Sequence, residues 1–177
     1  MSDETQKSVG SDSGLTHLDA EGRARMVDVG EKPITHRRSA ARCEVSMSPE
    51  TLRRITDRTI SKGDVFATAR IAGIQAAKRT SEWIPLAHPL PLDSVEVMLE
   101  PDSAAGVVRI EARVETHWRT GVEMEAMVAA SAAALTLYDM CKAIDRSMVV
   151  RDLRLVAKSG GRSGDFRRED EPRGSRP

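Results

Sequence analysis

The chain has 177 residues, of which 40% are apolar and 31% charged, and its 27 Lys and Arg residues balance 27 Asp and Glu residues. This balance excludes the broad basic surface that attracts nucleic acid, and an aromatic content of 3% excludes the stacking surfaces of proteins that bind single-stranded RNA or DNA. The length predicts one domain with a hydrophobic core and is too short for two.

The two cysteines, Cys43 and Cys141, are far apart and form no CxxC pair. They therefore provide no zinc-knuckle or thioredoxin-type motif, and they fit a reducing compartment. No apolar run is long enough to span a bilayer, and the polar opening 1–14 does not resemble a signal peptide. We expect a cytoplasmic protein without membrane or nucleic-acid partners.

Both ends of the chain are predicted to be disordered. Residues 1–14 are rich in Ser, Asp, Glu and Gly and offer little to bury, and residues 167–177 have a similar polar composition. A single domain is predicted between them, over 15–166.

The first half of this domain is predicted to contain one strand and two helices. Residues 39–47 alternate between apolar and polar side chains, which is typical of a half-buried strand. Ser48 followed by Pro49 is typical of a helix start, with the serine as the N-cap. A second helix is predicted over 64–80, and its small residues allow close packing against a neighbouring element.

The second half is predicted to contain three strands and one long helix. Alternating patterns predict strands over 95–99 and 108–116, joined by a turn over 101–106. An Ala-rich helix is predicted over 122–145, and a last strand over 147–157.

The order of the predicted elements is strand, helix, helix, strand, strand, helix, strand. This order is typical of the split βαβ arrangement, so we expect an α+β fold of the ferredoxin-like type, an antiparallel sheet with helices packed on one face. The other face of such a sheet needs a cover, and a small domain often obtains it from a partner subunit.

The segment 62–90 combines cations with a constrained histidine. Lys62 precedes the second predicted helix and Lys78 lies near its end, while prolines on both sides of His88 restrict the backbone there. Cations beside a fixed imidazole indicate a pocket for an anionic small molecule. Each residue also has an ordinary alternative, since exposed lysines usually serve solubility and a lone histidine is usually a loop residue.

The long predicted helix carries acidic residues near both of its ends, with Glu123 and Glu125 near the first. Asp139 and Lys142 are three positions apart, so this carboxylate and amine can exchange a proton if burial brings their pKa values toward neutrality. The alternative is an ordinary surface ion pair, which this spacing forms more often. Glu125 and Asp139 lie about 21 Å apart along the helix axis. If both ends serve catalysis, we expect the active site at a subunit interface, built from two chains.

The stretch KSGGRSGDF at 158–166 combines Lys158 and Arg162 with three glycines. Glycines let backbone N–H groups approach an anion and the cations supply charge, although such stretches are more often flexible connectors. The sequence contains no Walker loop, no GxGxxG after a strand and no HExxH, and its four histidines stand in unrelated contexts. No metal site is therefore expected.

Several segments together closely resemble one protein family. They are KGDVFATARIAGIQAAKRTSEWIPLAHPL at 62–90, GVEMEAMVAASAAALTLYDMCKAID at 121–145 and LVAKSGGRSGDF at 155–166, and the opening LTHLDAEGRARMVDV at 15–29 agrees with them. The family is cyclic pyranopterin monophosphate synthase, which acts in molybdenum-cofactor biosynthesis. The resemblance covers 15–166 and implies one catalytic domain with the same α+β, ferredoxin-like fold.

The resemblance implies an enzyme, a phosphorus–oxygen lyase that converts 3′,8-cyclo-7,8-dihydro-GTP into cyclic pyranopterin monophosphate and releases diphosphate. By motif, Asp139 and Lys142 match the catalytic pair of the family. The residues that match its substrate-contact and other active-site positions are Arg37, Lys62, Lys78, Leu86, Ala87, His88, Glu123, Met124, Glu125 and Lys158. Ala87 departs from many relatives, which have Cys there, and this weakens any role for covalent catalysis at that position.

The resemblance further implies a homohexamer, a trimer of dimers, with active sites at interfaces. No cofactor is expected to be required, and Mg²⁺ is expected at most to assist with the substrate phosphates. The alternative function is a non-catalytic ligand-binding module on the same fold, since fold alone does not fix activity. Asp139 beside Lys142 argues against that module, and the neutral charge and scarce aromatics argue against a ferredoxin-like RNA binder.

Overall fold

A computed structural model describes residues 21–169. The disordered segment predicted over 1–14 and the part of the predicted tail after residue 169 lie outside this range. In chain order the elements are β1 (Thr35–Ser46), α1 (Pro49–Thr56), α2 (Val65–Ala77), α3 (Thr80–Trp83), β2 (Ser94–Asp102), β3 (Val107–Trp118), α4 (Glu123–Cys141), β4 (Val149–Ser159) and β5 (Phe166–Arg167).

The strands form one antiparallel sheet in the order β2-β3-β1-β4-β5. β1 lies at its centre and pairs with β3 along its whole length, from Thr35 opposite Trp118 to Ser46 opposite Val107. β4 pairs with the other edge of β1, where two register shifts interrupt the ladder. The predicted α+β, ferredoxin-like fold is confirmed.

The helices cover one face of the sheet and enclose the core. Alternate side chains of β1 and β3, such as Val45 and Ile110, are buried there against the alanines of α4. Gly73 lets α2 approach α4 closely, because a Cβ at this position would lie 2.8 Å from the carbonyl oxygen of Ala129. The end of α2 lies toward the start of α4, since Ala76 packs with Val128, while Lys62 before α2 contacts Asp139 near the end of α4.

The opposite face of the sheet carries charged side chains that pair with one another. Arg42 of β1 donates to Glu111 at 2.6 Å, and Arg113 donates to the same carboxylate at 2.7 Å. At one end of this face the imidazoles of His36 and His117 stack, with ring centroids 4.4 Å apart. This side of the sheet is therefore polar, in contrast with the side that packs on the helices.

Two helices end earlier than predicted. The hydroxyl of Thr80 donates to the carbonyl of Ala77 at 3.0 Å, so α2 stops there and α3 forms separately. α4 stops at Cys141, four residues before the predicted end. Beyond it the backbone N–H groups of Ile144 and Asp145 both donate to the Cys141 carbonyl, and the Asp145 carboxylate accepts from the N–H of Ser48 and the hydroxyl of Thr51.

β5 was not predicted from the sequence. Its two residues, Phe166 and Arg167, pair with Lys158 and Ala157 of β4. The boundary predicted between residues 166 and 167 therefore falls inside a strand.

Candidate active site

The start of α4 adjoins two cavities that share part of their lining. The first has a volume of about 370 Å³ and is called the acidic pocket. Six predicted site residues line it: Leu86, Ala87, His88, Glu123, Met124 and Glu125. The sequence placed these residues in two segments far apart, and the fold brings the loop 86–88 to the first turn of α4.

Glu125 is the most buried acid of the acidic pocket, with 4% of its surface exposed. Burial raises the pKa of its carboxyl to about 7, and the charge of Glu123 adds to this rise. The backbone N–H of Glu125 itself acts in the opposite direction. A carboxyl that titrates near neutral pH can accept or donate a hydrogen bond under physiological conditions, which is common in binding and catalytic sites.

The second cavity, of about 690 Å³, is called the arginine pocket. Its lining includes the predicted residues Arg37 and Glu123, together with Lys32, Arg119 and Arg162. The sequence had marked Arg162 only as part of a glycine-rich stretch, and it had not marked Lys32 or Arg119. The available signal for Arg119 was its position just before the Thr-Gly that precedes α4, which is weak on its own.

Lys158 connects the glycine-rich stretch to the start of α4. Its ammonium lies 3.1 Å from a carboxylate oxygen of Glu123 and donates to the hydroxyl of Ser163 at 3.0 Å. Both charged side chains are largely buried, with 24% and 30% of their surfaces exposed. The pair fixes the Glu123 carboxylate at the boundary between the two cavities, which both include this residue in their lining.

The other predicted cluster lies at the opposite end of α4. Asp139 accepts from Lys142 at 2.7 Å and from the ammonium of Lys62 at 3.1 Å, and Lys62 also donates to the Asp139 carbonyl at 2.8 Å. All three side chains are about half exposed. The fold therefore brings Lys62, 77 residues away in sequence, to the predicted catalytic pair.

The pKa values of this cluster move apart, not together. Hydrogen bonds from Lys142 and Lys62 lower the pKa of Asp139, and the hydrogen bond to Asp139 raises the pKa of Lys142. In a single chain the arrangement is thus that of an exposed ion pair. Residues 21–169 of one chain do not supply the burial that the predicted proton exchange would need.

The two clusters do not meet within one chain, because α4 separates them. Glu125 and Asp139 stand about 21 Å apart along the helix axis. Lys78, which ends α2, is exposed and belongs to the same end of the domain as the acidic pocket, since neighbouring Ala76 packs on Val128 of α4.

Metal and thiol chemistry have little support among the described residues. Within 21–169, no group of three or more His, Cys, Asp or Glu side chains is placed to hold a metal ion. Cys43 and Cys141 are free and buried, and burial raises the pKa values of their thiols to about 12 and about 11. In the same part of the chain, no helix combines the length and apolar character needed to cross a membrane.

Comparisons with known proteins agree with the resemblance seen in the sequence. A protein of Roseiflexus sp. (strain RS-1) is 62% identical over 154 residues, which is 87% of this chain and 98% of the relative. Proteins of Thermomicrobium roseum and Pelotomaculum thermopropionicum are 59% and 58% identical, over 89% and 90% of this chain and 95% and 94% of the relatives. All three are named cyclic pyranopterin monophosphate synthase. Since the model of the MoaC family also matches residues 26–161, the chain belongs to that family.

Proposed function

We propose that this chain is the enzyme that converts 3′,8-cyclo-7,8-dihydro-GTP into cyclic pyranopterin monophosphate and diphosphate in molybdenum-cofactor biosynthesis. The names of its relatives support this activity. The structural observation that carries it is a pocket with two carboxylates next to a pocket lined by four cations. A guanine-derived ring offers N–H donors to the carboxylates, and the triphosphate of the same substrate requires cations. One substrate could therefore occupy both pockets.

The acidic pocket is proposed to bind the ring system. Glu123 and Glu125 would accept hydrogen bonds from its polar edge, while Leu86, Ala87 and Met124 provide apolar contact. The volume and mixed lining of the acidic pocket are typical of small-molecule sites, in which a few polar groups fix the orientation of a ligand.

Asp139 and Lys142 are proposed to move protons while the ring opens and is rebuilt as a pyranopterin. Asp139 balances the charge of Lys142, which acts as the proton shuttle. The exposure of the pair in one chain implies that substrate and a second subunit bury it in the working enzyme.

The remaining cations are proposed to hold the phosphates. Lys158 adjoins the arginine pocket through Ser163, and His88 lines the acidic pocket, where it can reach the part of the phosphate chain nearest the ring. Lys78 lies at the same end of the domain, and Lys62 would come from the second subunit with Asp139. No resident cofactor is proposed, with Mg²⁺ only accompanying the phosphates, and the enzyme is proposed to act in the cytoplasm.

The activity is tested by mixing purified protein with 3′,8-cyclo-7,8-dihydro-GTP and measuring released diphosphate. Wild-type protein should release it, and Lys142→Ala should stop turnover while circular dichroism shows a folded chain. Arg146→Ala is the matched control, because it removes an exposed cation four positions away and keeps the backbone carbonyl that Tyr138 uses. A binding module would release no diphosphate, and normal turnover by Lys142→Ala would refute the proton-shuttle role.

The site is proposed to be shared between two subunits, in a hexamer built as a trimer of dimers. Asp139→Ala and Glu125→Ala remove groups from opposite ends of α4, so each variant alone should be inactive. An exchanging equal mixture should recover about a quarter of wild-type activity, since half of the random dimers contain one intact site of two. A mixture of Asp139→Ala with Lys142→Ala is the control and should stay inactive, because both changes affect the same end.

A shared site predicts recovered activity in the mixture of Asp139→Ala with Glu125→Ala and none in the control mixture. A site within one chain predicts no recovery in either mixture. Light scattering on the wild type gives the subunit number directly. Absence of recovery under conditions of proven subunit exchange would rule out the shared site.

A further inference from the structure

Thr116 places a hydroxyl on the otherwise apolar core face of β3. The earlier core positions of this strand are all apolar and buried: Val108, Ile110, Ala112 and Val114. Thr116 continues the same alternation and has 0% of its surface exposed. Valine has nearly the same shape and also favours strands, so packing does not explain the hydroxyl. A buried hydroxyl needs a hydrogen-bond partner, since leaving it without one costs free energy.

The partner of this hydroxyl is a backbone carbonyl in the loop 84–93, which joins α3 to β2. Thr116 donates to the carbonyl of Pro91 at 2.5 Å, across 25 positions of sequence. Pro89 and Pro91 cannot donate in return, because proline has no backbone N–H. In the part of the chain that the structure describes, no other hydrogen bond holds the backbone of residues 88–92. The Thr116 hydroxyl is therefore the polar anchor of this segment.

The loop is fixed on both sides of His88. Before it, the N–H of Ala87 donates at 3.0 Å to the carbonyl three residues back. After it, Leu90 packs partly buried against the core, and Thr116 holds the carbonyl of Pro91. Without the hydroxyl, only packing and the stiffness of the prolines would hold the second side.

The anchored loop forms one wall of the acidic pocket, opposite the first turn of α4. Four of its residues line the cavity: Leu86, Ala87, His88 and Leu90. Thr116 is not among the described residues of this lining. Its hydroxyl can affect a ligand in the pocket only through the loop that it holds.

We propose that Thr116 is a positioning residue, which holds the loop carrying His88 in the conformation that binds the substrate. This inference rests on the proposed function, in which the loop contacts the ring system, and adds a residue outside the pocket. Binding costs free energy when a loop must first be ordered, and a loop that is already held avoids this cost. Loss of the hydroxyl should therefore appear mainly as weaker substrate binding.

The first test is steady-state kinetics of diphosphate release by full-length variants. Thr116→Val keeps the shape and removes the hydroxyl, so KM for the cyclised substrate should rise about tenfold with a smaller change in kcat, the effect of one hydrogen bond. Thr116→Ser keeps the hydroxyl and should return KM close to the wild-type value. Thr56→Val is the control and should leave KM unchanged, because the Thr56 hydroxyl donates to the carbonyl of Arg53 within α1 at 2.8 Å.

Hydrogen–deuterium exchange measured by mass spectrometry provides a second test that needs no substrate. The N–H groups of Ala87 and Asp93 are hydrogen-bonded on the two sides of the anchor. In Thr116→Val they should exchange about tenfold faster than in the wild type, while β1 keeps its protection. A purely structural role would speed exchange throughout the fold and reduce the folded fraction without changing KM.

Either measurement can overturn the proposal. Unchanged exchange of the loop in a folded Thr116→Val protein would show that the hydroxyl does not hold it. Faster exchange with an unchanged KM would show that its position does not matter for the substrate. If valine prevents folding, Thr116→Ala removes the same hydroxyl with a smaller side chain and takes its place in both tests.

Failure of this inference differs from failure of the proposed function. A wild type that releases no diphosphate contradicts the proposed function, and exchange alone then decides whether Thr116 holds the loop. A wild type with normal turnover whose Thr116→Val variant keeps the same KM contradicts the positioning role alone.

Discussion

Lys158 and Glu123 are 35 residues apart in sequence, yet the ammonium of one lies 3.1 Å from the carboxylate of the other. This ion pair joins the end of β4 to the first residue of α4. It also sets the position of a carboxylate that lines both cavities.

Replacing Lys158 should affect substrate binding more than the chemical step. Lys158→Ala removes a cation next to the proposed phosphate site and releases Glu123, so we expect KM for the cyclised substrate to rise about tenfold with a smaller fall in kcat. Steady-state kinetics of diphosphate release measures both parameters. Lys158→Arg should restore most of the affinity, and a loss confined to kcat would contradict the binding role.

Glu125 should make the protein less stable as the pH rises. The unfolded carboxyl loses its proton near pH 4.5, while the folded one keeps it to about pH 7. The unfolded chain therefore binds fewer protons over this range. As a result, this group lowers the free energy of unfolding by on the order of 3 kcal/mol between pH 4.5 and 7. Glu125→Gln should remove that loss, so it should be more stable than the wild type at pH 8 and similar at pH 4.5.

Urea unfolding at the two pH values checks this expectation. Glu100→Gln, which removes an exposed charge from β2, is the control and should keep the pH dependence of the wild type. An unchanged pH dependence in Glu125→Gln would show that the buried carboxyl is not its source.

Two glycines of one loop provide a matched pair of variants. Gly161 and Gly164 both have positive φ, so an alanine at either position strains the backbone by about 1–2 kcal/mol. Only at position 161 would the new Cβ meet the guanidinium of Arg37, whereas position 164 faces open space. Gly161→Ala should therefore weaken diphosphate binding and Gly164→Ala should not, as titration at equal protein concentration shows. Equal binding by the two variants would argue against a role for Arg37.

Asp145 should stabilise the fold from its position after α4. Its carboxylate accepts from the N–H of Ser48 at 2.9 Å and from the hydroxyls of Thr51 and Ser147 at 3.1 and 2.6 Å. These hydrogen bonds, led by the one from Ser147, lower its pKa, so its contribution is present above the ordinary value of 3.8 and is lost as the pH falls further.

Asp145→Asn should lower the free energy of unfolding at pH 7 by about 2 kcal/mol, the cost of weakening buried hydrogen bonds to a charged acceptor. Thermal unfolding at pH 7 measures the change. Asp57→Asn, at the exposed end of α1, is the control and should cost little. An Asp145→Asn protein as stable as the wild type would show that these hydrogen bonds do not stabilise the fold.

Local sequence signals predicted the elements well where a nearby residue decides the structure. Ser48 caps α1 as expected, since its side chain accepts from the N–H of Thr51 three residues later. Alternation located β3 almost to its ends, because one face of that strand is buried throughout. The hydrogen bond between Asp145 and Ser48 could not be predicted in this way, since the two residues are 97 positions apart.

The candidate site was predictable in its parts but not in its arrangement. Motifs marked Lys62, Asp139 and Glu125, yet only the fold shows which two of them share one end of a helix. Arg119 stood outside every motif, and its place in the arginine pocket appears only when β1 positions Arg37 beside it.

The continuity of α4 keeps the two clusters at its ends apart. A continuous helix of 19 residues, packed on α2 through a glycine contact, neither shortens nor bends enough to bring its two termini into one cavity. Hinge motion is therefore not an available route to completing the shared site proposed above. The fraction of complete sites would instead depend on protein concentration. Dilution below the dissociation constant of the assembly would therefore stop turnover while every subunit stayed folded.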